Sequence, residues 1–311
     1  MGVEIREATS KEMERNKKIV GFATGGVMFG EGMEKINWKL VRFMCNLGYT
    51  FMPREKGVKV RKLLLGNISA EISTPEKVDG EGIIMYIHGG GLVSGSAKAT
   101  RGYCSMLAKY SGLRVVSINY RLAPENIYPA AVDDCEEAYL ALHEIYPEAK
   151  ICLTGESGGA YLTTALTIRL INKNEYAPAC IIPHSTLCDM EGTLDRSYYD
   201  IIDGTVTGPE ALRYIAAVYA GKGADLTNPE IDVKHYAHFE KFPPTYLTCD
   251  FNETLRADSE HMYKLLSEAG VDVHLTIMKN TFHACSTLGT GSPETMQLMR
   301  DNIEFIKKYC A

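Results

Sequence analysis

The sequence has few of the features that would assign a 311-residue chain to a specialised class of protein. It contains a single tryptophan, and no apolar stretch is long enough to span a bilayer. The first residues, MGVEIREATSKEMERNKK, carry many charges and lack the apolar segment of a signal peptide. The sequence therefore predicts a cytoplasmic protein without a membrane partner.

Basic residues are also scarce relative to acidic ones. Lysine and arginine number 33 against 39 aspartates and glutamates, which gives a formal net charge of −6. Proteins that bind nucleic acids usually present a basic patch or stripe to the phosphates. We therefore expect no nucleic-acid partner.

Paired cysteines are absent too, although the chain has nine cysteines. None forms a C-x-x-C pair, and their odd number and scattered positions fit neither a zinc site nor a disulfide framework. Several lie inside apolar runs, such as Cys152 and Cys180, where cysteine behaves as a small hydrophobic residue. We expect free cysteines, a reducing compartment and no bound metal.

Short apolar runs instead alternate with amphipathic stretches along most of the chain. The predicted strands are IIMYIH, LRVVSINY, KICLTG, ACIIPHS, PTYLTCD and VDVHLTIM, and the predicted helices are 98–111, 131–146, 158–173, 256–269 and 293–309. Ahead of them, VKVRKLLL and NISAEIST predict an antiparallel hairpin that turns near Gly66 and Asn67. Continuous apolar strands separated by helices indicate an α/β fold with a mostly parallel sheet covered on both faces.

Two segments interrupt this alternation and predict a helical cap over the sheet. Residues 10–50 have a helical pattern, and the interval 188–240 contains the helical stretch GPEALRYIAAVYAG but no obvious strand. The predicted organisation is an N-terminal cap segment (1–50), an α/β core (51–187 and 241–311) and a cap insertion (188–240). The side chains expected to line its apolar pockets are Met28, Phe29, Trp38, Tyr198, Tyr199 and Tyr214.

The segment GESGG (155–159) is the first indication of chemistry. It follows a predicted strand and precedes a predicted helix, and G-x-S-x-G in that context is the nucleophile elbow, a sharp turn that exposes a serine hydroxyl above the sheet. The flanking glycines remove side chains that would clash in such a turn. The same pattern occurs in ordinary glycine-rich turns, so Ser157 needs partners before it predicts a nucleophile.

A serine hydroxyl becomes a nucleophile when a base takes its proton and an acid orients that base. His283 follows the last predicted strand in a polar loop, and the acidic segment YLTCDFNETLRAD ends the strand before it. Within that segment the candidate acids are Asp250, Glu253 and Asp258. Four other histidines are expected to be surface-loop residues without a catalytic role: His184, His235, His238 and His261.

The stretch MYIHGGGLVSG (85–95) places three glycines behind an apolar strand. Glycine is unfavourable within strands, so these residues serve either a tight turn or a close approach to backbone N–H groups. Acyl transfer needs such donors for the oxygen that becomes negative in the tetrahedral intermediate. We predict an oxyanion hole formed by the N–H groups of Gly90, Gly91 and Gly158, with His88 organising the loop.

Together these motifs resemble the hormone-sensitive-lipase-like group of α/β-hydrolase esterases over nearly the whole chain. The matching residues are HGGG (88–91), YRLAPE (120–125), YPAAVDD (128–134), the elbow (155–159), the LR of ETLRAD and His283. The resemblance implies the α/β-hydrolase fold with a helical cap. Within YRLAPE, we expect Arg121 and Glu125 to form a buried ion pair that braces the loops near the elbow.

The resemblance also selects one acid. The family's acid stands immediately before a residue-Leu-Arg segment, and Glu253 holds that place ahead of Thr254-Leu255-Arg256, with Asp250 as the alternative. Two departures are present. A glutamate replaces the usual aspartate of a D-P-L motif, and the elbow reads G-E-S-G-G-A where the family has G-D-S-A-G-G. Gly158, in place of alanine, retains the N–H donor and adds backbone freedom.

The resemblance implies a serine carboxylesterase that hydrolyses small, short-acyl esters through an acyl-enzyme, with Ser157, His283 and Glu253 as its triad. Such an enzyme acts on a small-molecule ester, needs no metal or organic cofactor, and is compatible with a homodimer. Two alternatives remain open. One is an amidase or arylformamidase-type hydrolase with the same triad, and the other is a small-ligand receptor like the plant gibberellin receptors, which lack the catalytic histidine.

Overall fold

A nine-stranded, mostly parallel sheet forms the centre of the computed structural model, which describes residues 2–24, 39–40, 42–43, 54–198 and 208–310. The strands are β1 (Gly2–Glu7), β2 (Val58–Leu65), β3 (Ile68–Pro75), β4 (Ile83–Ile87), β5 (Arg114–Ile118), β6 (Ile151–Glu156), β7 (Cys180–His184), β8 (Thr245–Asp250) and β9 (Val273–Lys279). Their order is β1-β9-β8-β7-β6-β4-β5-β3-β2, and only the β2–β3 and β3–β5 pairs are antiparallel.

Helices cover both faces of the sheet. They are α1 (Lys11–Thr24), α2 (Arg101–Ser111), α3 (Ala130–Ile145), α4 (Gly158–Lys173), α5 (Pro209–Ala220), α6 (Arg256–Glu268) and α7 (Pro293–Cys310), with 3₁₀ turns at Val233–His235, Phe239–Lys241 and Cys285–Gly291. One hydrophobic cluster joins α3, α4, α5 and α6 to the sheet, and a second joins α1, α2 and α7 to its other face. The predicted α/β architecture is confirmed.

The strand β4 shows why the central strands have no polar alternation. Ile83, Met85 and Ile87 belong to one cluster, while Ile84 and Tyr86 belong to the other, and all five are fully buried. Each such side chain contributes about 1.5–3 kcal/mol relative to exposure. A strand buried on both faces therefore requires a continuous apolar run.

The predicted hairpin is present at the opposite end of the sheet from β1. Strands β2 and β3 pair from Val58–Pro75 to Leu65–Ile68, and the turn between them is Gly66-Asn67, as predicted. Gly66 has φ of +60°, in the left-handed region that glycine adopts without strain.

The N-terminal boundary of the predicted cap segment needs correction. Residues Gly2–Glu7 form β1, which pairs in parallel with β9 and so belongs to the main sheet rather than to a helical cap. The strand alternates apolar and charged residues on an edge, and Val3 and Ile5 remain half exposed. Its pairing partner lies at the other end of the chain, which is why the local pattern did not identify it.

Within the cap insertion, the predicted helix is α5, as its sequence GPEALRYIAAVYAG indicates. In the N-terminal segment, α1 packs near the 3₁₀ turn after His283, where Asn16 Nδ2 donates to the Gly291 carbonyl at 2.9 Å. Short helical pieces occur at 39–40 and 42–43. Four of the predicted pocket residues lie outside the described residues: Met28, Phe29, Trp38 and Tyr199.

The cysteines within the described ranges are free and buried, and Cys180 and Cys310 approach one another with 3.9 Å between their sulfur atoms. Across the same ranges, no helix combines the length and the apolar character that crossing a membrane requires.

Candidate active site

Ser157 lies in a sharp turn between β6 and α4, at the carboxyl edge of the sheet. Its φ of 55° and ψ of −122° are strained for a residue with a side chain, as expected of a nucleophile elbow. Two glycines allow the turn to pack against β4. A Cβ atom at Gly159 would lie 2.0 Å from the Ile87 carbonyl oxygen, and one at Gly155 would lie 2.5 Å from it.

The structure brings the predicted base and acid together. His283 Nδ1 is in hydrogen-bond contact with Glu253 Oε2, and the Glu253 carboxylate is almost completely buried. The second carboxylate oxygen, Oε1, accepts the backbone N–H of Asp250 at 2.9 Å. Both oxygens of Glu253 are therefore engaged, and one of them faces the imidazole.

Asp250 has different partners. Its Oδ2 accepts the Thr281 hydroxyl at 2.5 Å, and its Oδ1 accepts the backbone N–H of Asn252 at 2.8 Å. These bonds tie the end of β8 to the loop that carries His283. The third candidate, Asp258, lies on α6 and forms a buried ion pair with Arg196 at 2.7 Å.

Tyr198 supports the turn that carries Glu253, and the sequence analysis assigned it only to a pocket wall. Its hydroxyl accepts the Ala257 N–H at 2.7 Å and lies 3.2 Å from the Thr254 carbonyl oxygen and 3.3 Å from that of Glu253. No local pattern predicts these bonds, because the tyrosine comes from the cap interval and the turn comes from the core.

Two hydrogen bonds at the end of β7 connect the Ser157 turn to the loop that carries His283. The Ser157 N–H donates to the His184 carbonyl at the end of β7 at 2.9 Å. The next residue, Ser185, accepts the Ala284 N–H through its hydroxyl at 3.3 Å. The loop carrying His283 is thereby anchored beside the elbow. The three predicted triad residues follow the carboxyl ends of β6, β8 and β9, at the edge where open α/β sheets bind ligands.

The loop after β4 that contains Gly89, Gly90 and Gly91, called the glycine loop below, combines a tight turn with close packing. The Gly90 carbonyl accepts the N–H groups of Val93 and Ser94, at 3.2 and 3.0 Å, and Gly90 has φ of +113°. A Cβ atom there would lie 2.4 Å from the Ser94 carbonyl oxygen. At Gly91, with φ of +61°, the added atom would face Ile215 of α5 at 3.2 Å. Gly90 is thus needed for the turn itself, while Gly91 faces α5.

His88 organises this loop, in agreement with its position in the sequence. Its ring stacks on Tyr120 with 4.3 Å between centroids, and its Nδ1 lies 2.9 Å from the Gly89 carbonyl oxygen. Burial lowers the pKa of His88 to about 4, so the ring is neutral over the physiological range.

The departure at Gly158 has a steric explanation. A Cβ atom at this position would lie 2.9 Å from the Leu92 backbone nitrogen and 3.2 Å from Leu92 Cγ. Leu92 itself has φ of +63°, which is uncommon for a residue with a branched side chain. The glycine therefore lets the loop that carries Leu92 approach the first turn of α4 more closely than an alanine would.

We expect Gly158→Ala to destabilise the protein by about 1–3 kcal/mol, because the added methyl group must displace Leu92. Alanine normally stabilises a helix relative to glycine by roughly 0.5–1 kcal/mol, so the expected effect has the opposite sign. Thermal unfolding with parallel measurement of kcat tests it. An unchanged or raised Tm would mean that Leu92 moves at little cost.

The ion pair predicted within YRLAPE is wrong. Arg121 pairs instead with Asp134 of α3 at 2.7 Å, and its backbone N–H donates to the same carboxylate. Glu125 pairs with Arg42 of the N-terminal segment at 2.6 Å. The two charges of the motif face different elements, so nearness in sequence did not decide their pairing.

Arg42 joins the N-terminal segment to the loops near the elbow. Its Nε donates to the Val93 carbonyl at 2.6 Å, and Nη2 donates to the Ala123 carbonyl at 2.7 Å. With the bonds to Glu125, one guanidinium holds both the glycine-loop end and the YRLAPE segment.

The expectation for His184 also needs correction. This residue ends β7, is buried, and has Nδ1 at 2.7 Å from the Thr248 hydroxyl, so it is not a surface-loop histidine. Burial lowers its pKa to about 3 and keeps the ring neutral. The continuous apolar run before it had already indicated a buried strand.

Among the described residues, the side chains that could hold a metal ion together are Glu191, Asp232 and His235. The Lys234 ammonium already lies 2.8 Å from Glu191 and 3.4 Å from Asp232. This cluster lies between β7 and β8 in the chain, and both of its carboxylates already share the positive charge of Lys234.

Comparison with known proteins agrees with this geometry. A family described as the alpha/beta hydrolase fold matches residues 84–287. The versiconal hemiacetal acetate esterase of Emericella nidulans is 29% identical over 246 residues, covering 76% of this chain and 85% of that protein. An acetyl-hydrolase of Streptomyces hygroscopicus is 30% identical over 224 residues, covering 70% and 73%.

Solved structures show the same relationship. A crystal structure of an esterase from the bacterial hormone-sensitive lipase family superposes with a TM-score of 0.88 at 27% identity, covering 98% of this chain and all of that one. A hormone-sensitive lipase from a metagenome library gives 0.85 at 27% identity, with 97% and 100% covered. The chain belongs to the alpha/beta hydrolase fold family, and it is a carboxylic ester hydrolase of the hormone-sensitive-lipase-like group.

Proposed function

We propose that the protein is a serine esterase that hydrolyses small esters of short acyl chains, with Ser157 as nucleophile, His283 as base and Glu253 as orienting acid. The observation that carries this proposal is the contact between His283 Nδ1 and the buried Glu253 carboxylate, beside a serine in a strained elbow. A carboxylate on Nδ1 leaves Nε2 as the ring nitrogen that accepts the serine proton.

In the proposed reaction, Ser157 Oγ attacks the ester carbonyl carbon while His283 takes the hydroxyl proton. The carbonyl oxygen becomes negative and receives hydrogen bonds from the N–H groups of Gly90, Gly91 and Gly158. Collapse of this intermediate breaks the ester C–O bond, and the imidazolium returns its proton to the leaving alcohol. Water then attacks the acyl-enzyme by the same sequence of proton transfers and releases the carboxylic acid.

The burial of Glu253 supports its assigned role. A carboxylate with little access to water attracts an imidazolium more strongly than an exposed one does. Its other oxygen is held by the Asp250 N–H, so the side chain reaches His283 in a fixed orientation. The acid therefore opposes rotation of the imidazole and stabilises the charge that forms during attack.

A cysteine nucleophile is the chemical alternative nearest to His283, and the local environment opposes it. Cys285 stands two residues further along and is buried, and burial raises the pKa of its thiol to about 12. The thiolate is the reactive form of cysteine, so this thiol is inert at neutral pH.

Two observations support a short acyl chain. Ile215 of α5 lies against the glycine loop at Gly91, so an apolar side chain limits the space beside the proposed oxyanion hole. The named relatives include an acetate esterase and an acetyl-hydrolase. We infer that the acetyl group is the preferred acyl group.

Hydrolysis of a series of p-nitrophenyl esters, from acetate to palmitate, tests the proposed specificity. We expect kcat/KM to be highest for acetate to butyrate and to fall steeply for longer chains, because the cap restricts the acyl pocket. A matched series of p-nitroanilides serves as the control for amide hydrolysis. Faster cleavage of the anilides, or a maximum at palmitate, would contradict the proposal.

A further inference from the structure

The residue before the proposed nucleophile makes contacts that the triad does not explain. Glu156 ends β6, and its Oε1 accepts the backbone N–H of Gly89 at 2.7 Å. Its Oε2 accepts the hydroxyl of Tyr86 from β4 in a short hydrogen bond. One carboxylate thus joins the elbow to the first glycine of the oxyanion loop.

The loop that carries Gly89 packs closely against Glu156 at the end of β6. A Cβ atom at Gly89 would lie 2.6 Å from the Glu156 carbonyl oxygen and 3.0 Å from its Oε1. The main chains of β6 and the loop are therefore in direct contact, and the carboxylate fixes the direction of the Gly89 peptide. Gly90 and Gly91 follow immediately in the chain.

The carboxylate lacks a permanent positive partner. No lysine or arginine among the described residues forms an ion pair with it, and burial raises the pKa of Glu156 to about 7. The titratable groups that face it from neighbouring elements are Tyr86, Tyr103, Cys104, Tyr120 and His283.

Burial raises the pKa values of these tyrosines and of the Cys104 thiol far above neutrality. Near neutral pH the Glu156 carboxyl therefore changes charge, whereas these tyrosines and the Cys104 thiol stay neutral. The hydrogen bonds from Tyr86 and Gly89 favour the ionised carboxylate and partly offset the effect of burial.

We propose that Glu156 is a positioning residue for the oxyanion hole, whose ionised carboxylate holds the Gly89 peptide and thereby aligns the N–H groups of Gly90 and Gly91. The proposal rests on the proposed function, because the loop matters only if it binds the oxyanion. Protonation leaves the carboxyl a weaker acceptor for its two donors. Activity should then fall as the pH decreases through the range in which Glu156 gains its proton.

Glu156→Gln is the decisive variant, because it retains size and removes the charge. In a glutamine an NH₂ group replaces one of the two carboxylate oxygens, so either the Gly89 N–H or the Tyr86 hydroxyl faces a donor instead of an acceptor. We expect kcat for p-nitrophenyl acetate to fall by about 10- to 100-fold with little change in KM, somewhat less than the ~10²–10³ found for loss of a complete oxyanion donor. The acid limb of log(kcat/KM) against pH should become shallower, because the protonation of Glu156 no longer contributes to it.

Two further variants separate positioning from stability. Glu156→Asp keeps the charge and should recover part of kcat together with the steeper acid limb. The matched control is Glu71→Gln. It neutralises a buried glutamate of β3 that pairs with Arg101 of α2, away from the elbow. It should lower Tm while leaving kcat and the acid slope unchanged.

A folded Glu156→Gln variant with unchanged kcat and an unchanged acid slope would overturn the proposal. If that variant does not fold, Tyr86→Phe decides. It removes a donor that lowers the pKa of Glu156, so the acid limb should move to higher pH, and no movement would overturn the proposal. Labelling of Ser157 in the wild-type protein by an organophosphate separates the two proposals, since its failure would contradict the triad rather than the role of Glu156.

Discussion

Ser157→Ala should abolish measurable ester hydrolysis while leaving the fold intact. The substitution removes only the hydroxyl oxygen, and the backbone contact from the Ser157 N–H to the His184 carbonyl remains available. Loss of the nucleophile in a serine protease triad lowers kcat by about 10⁶, and the remaining rate comes from the oxyanion hole and substrate binding. Steady-state hydrolysis of p-nitrophenyl acetate, with circular dichroism to verify folding, measures this effect.

Cys285→Ala is the matched control, because it removes the nucleophilic atom nearest in sequence to His283. Its thiol is buried and protonated, so turnover should stay close to that of the wild type. An organophosphate should label Ser157 in both the wild-type and the control protein. Near-normal turnover by a folded Ser157→Ala variant, or a label on Cys285, would remove the basis of the proposed mechanism.

The sequence was sufficient to predict the central sheet because its strands are buried on both faces. In β4 the apolar run is continuous, and β6 begins with three apolar residues, Ile151, Cys152 and Leu153. Local pattern and tertiary burial agree there, so the order of elements could be read directly. Strand β1 lacks this agreement, because its exposed Val3 and Ile5 alternate with charges and its partner β9 is distant in sequence.

Charge pairing was the least predictable feature. Arg121 and Glu125 are neighbours in the YRLAPE motif, yet the first pairs with Asp134 of α3 and the second with Arg42 of the N-terminal segment. Long charged side chains can reach several elements, and the sequence does not show which element packs closest. The pairings depend on how α3 and the N-terminal segment dock against the loops.

The candidate site could be predicted in part because its residues follow one another in the order serine, acid, histidine, each close to the end of a predicted strand. Ser157 and His283 each follow a strand, and the structure anchors their loops side by side through His184, Ser185 and Ala284. The contacts of Glu156 were not predictable, because they depend on the distance between the elbow and the glycine loop. The sequence also does not show which of two acids three residues apart, Asp250 or Glu253, contacts the imidazole of His283, because that depends on how the turn after β8 folds.

Glu253→Gln should lower kcat far more than Asp250→Asn does. The amide cannot carry the negative charge that stabilises the imidazolium, and its NH₂ group can hold the imidazole in the wrong tautomer. The equivalent change of acid to amide in a Ser-His-Asp protease lowers kcat by about 10⁴, and we expect a similar loss here. Values of kcat and KM for p-nitrophenyl acetate measure the effect, and the Tm of each variant shows whether the fold is retained.

Asp250→Asn is the matched comparison, since it makes the same chemical change three residues away. Asp250 accepts bonds from Thr281 and Asn252, which hold the end of β8 to the segment before His283, so the substitution should act mainly on stability. An asparagine retains one acceptor oxygen, and leaving one buried donor unsatisfied costs about 1–3 kcal/mol. We therefore expect a lower Tm with kcat reduced much less than in Glu253→Gln. The reverse ranking of the two kcat values would assign the orienting role to Asp250 and leave Ser157 and His283 in theirs, because Asp250 ends β8 only three residues before Glu253.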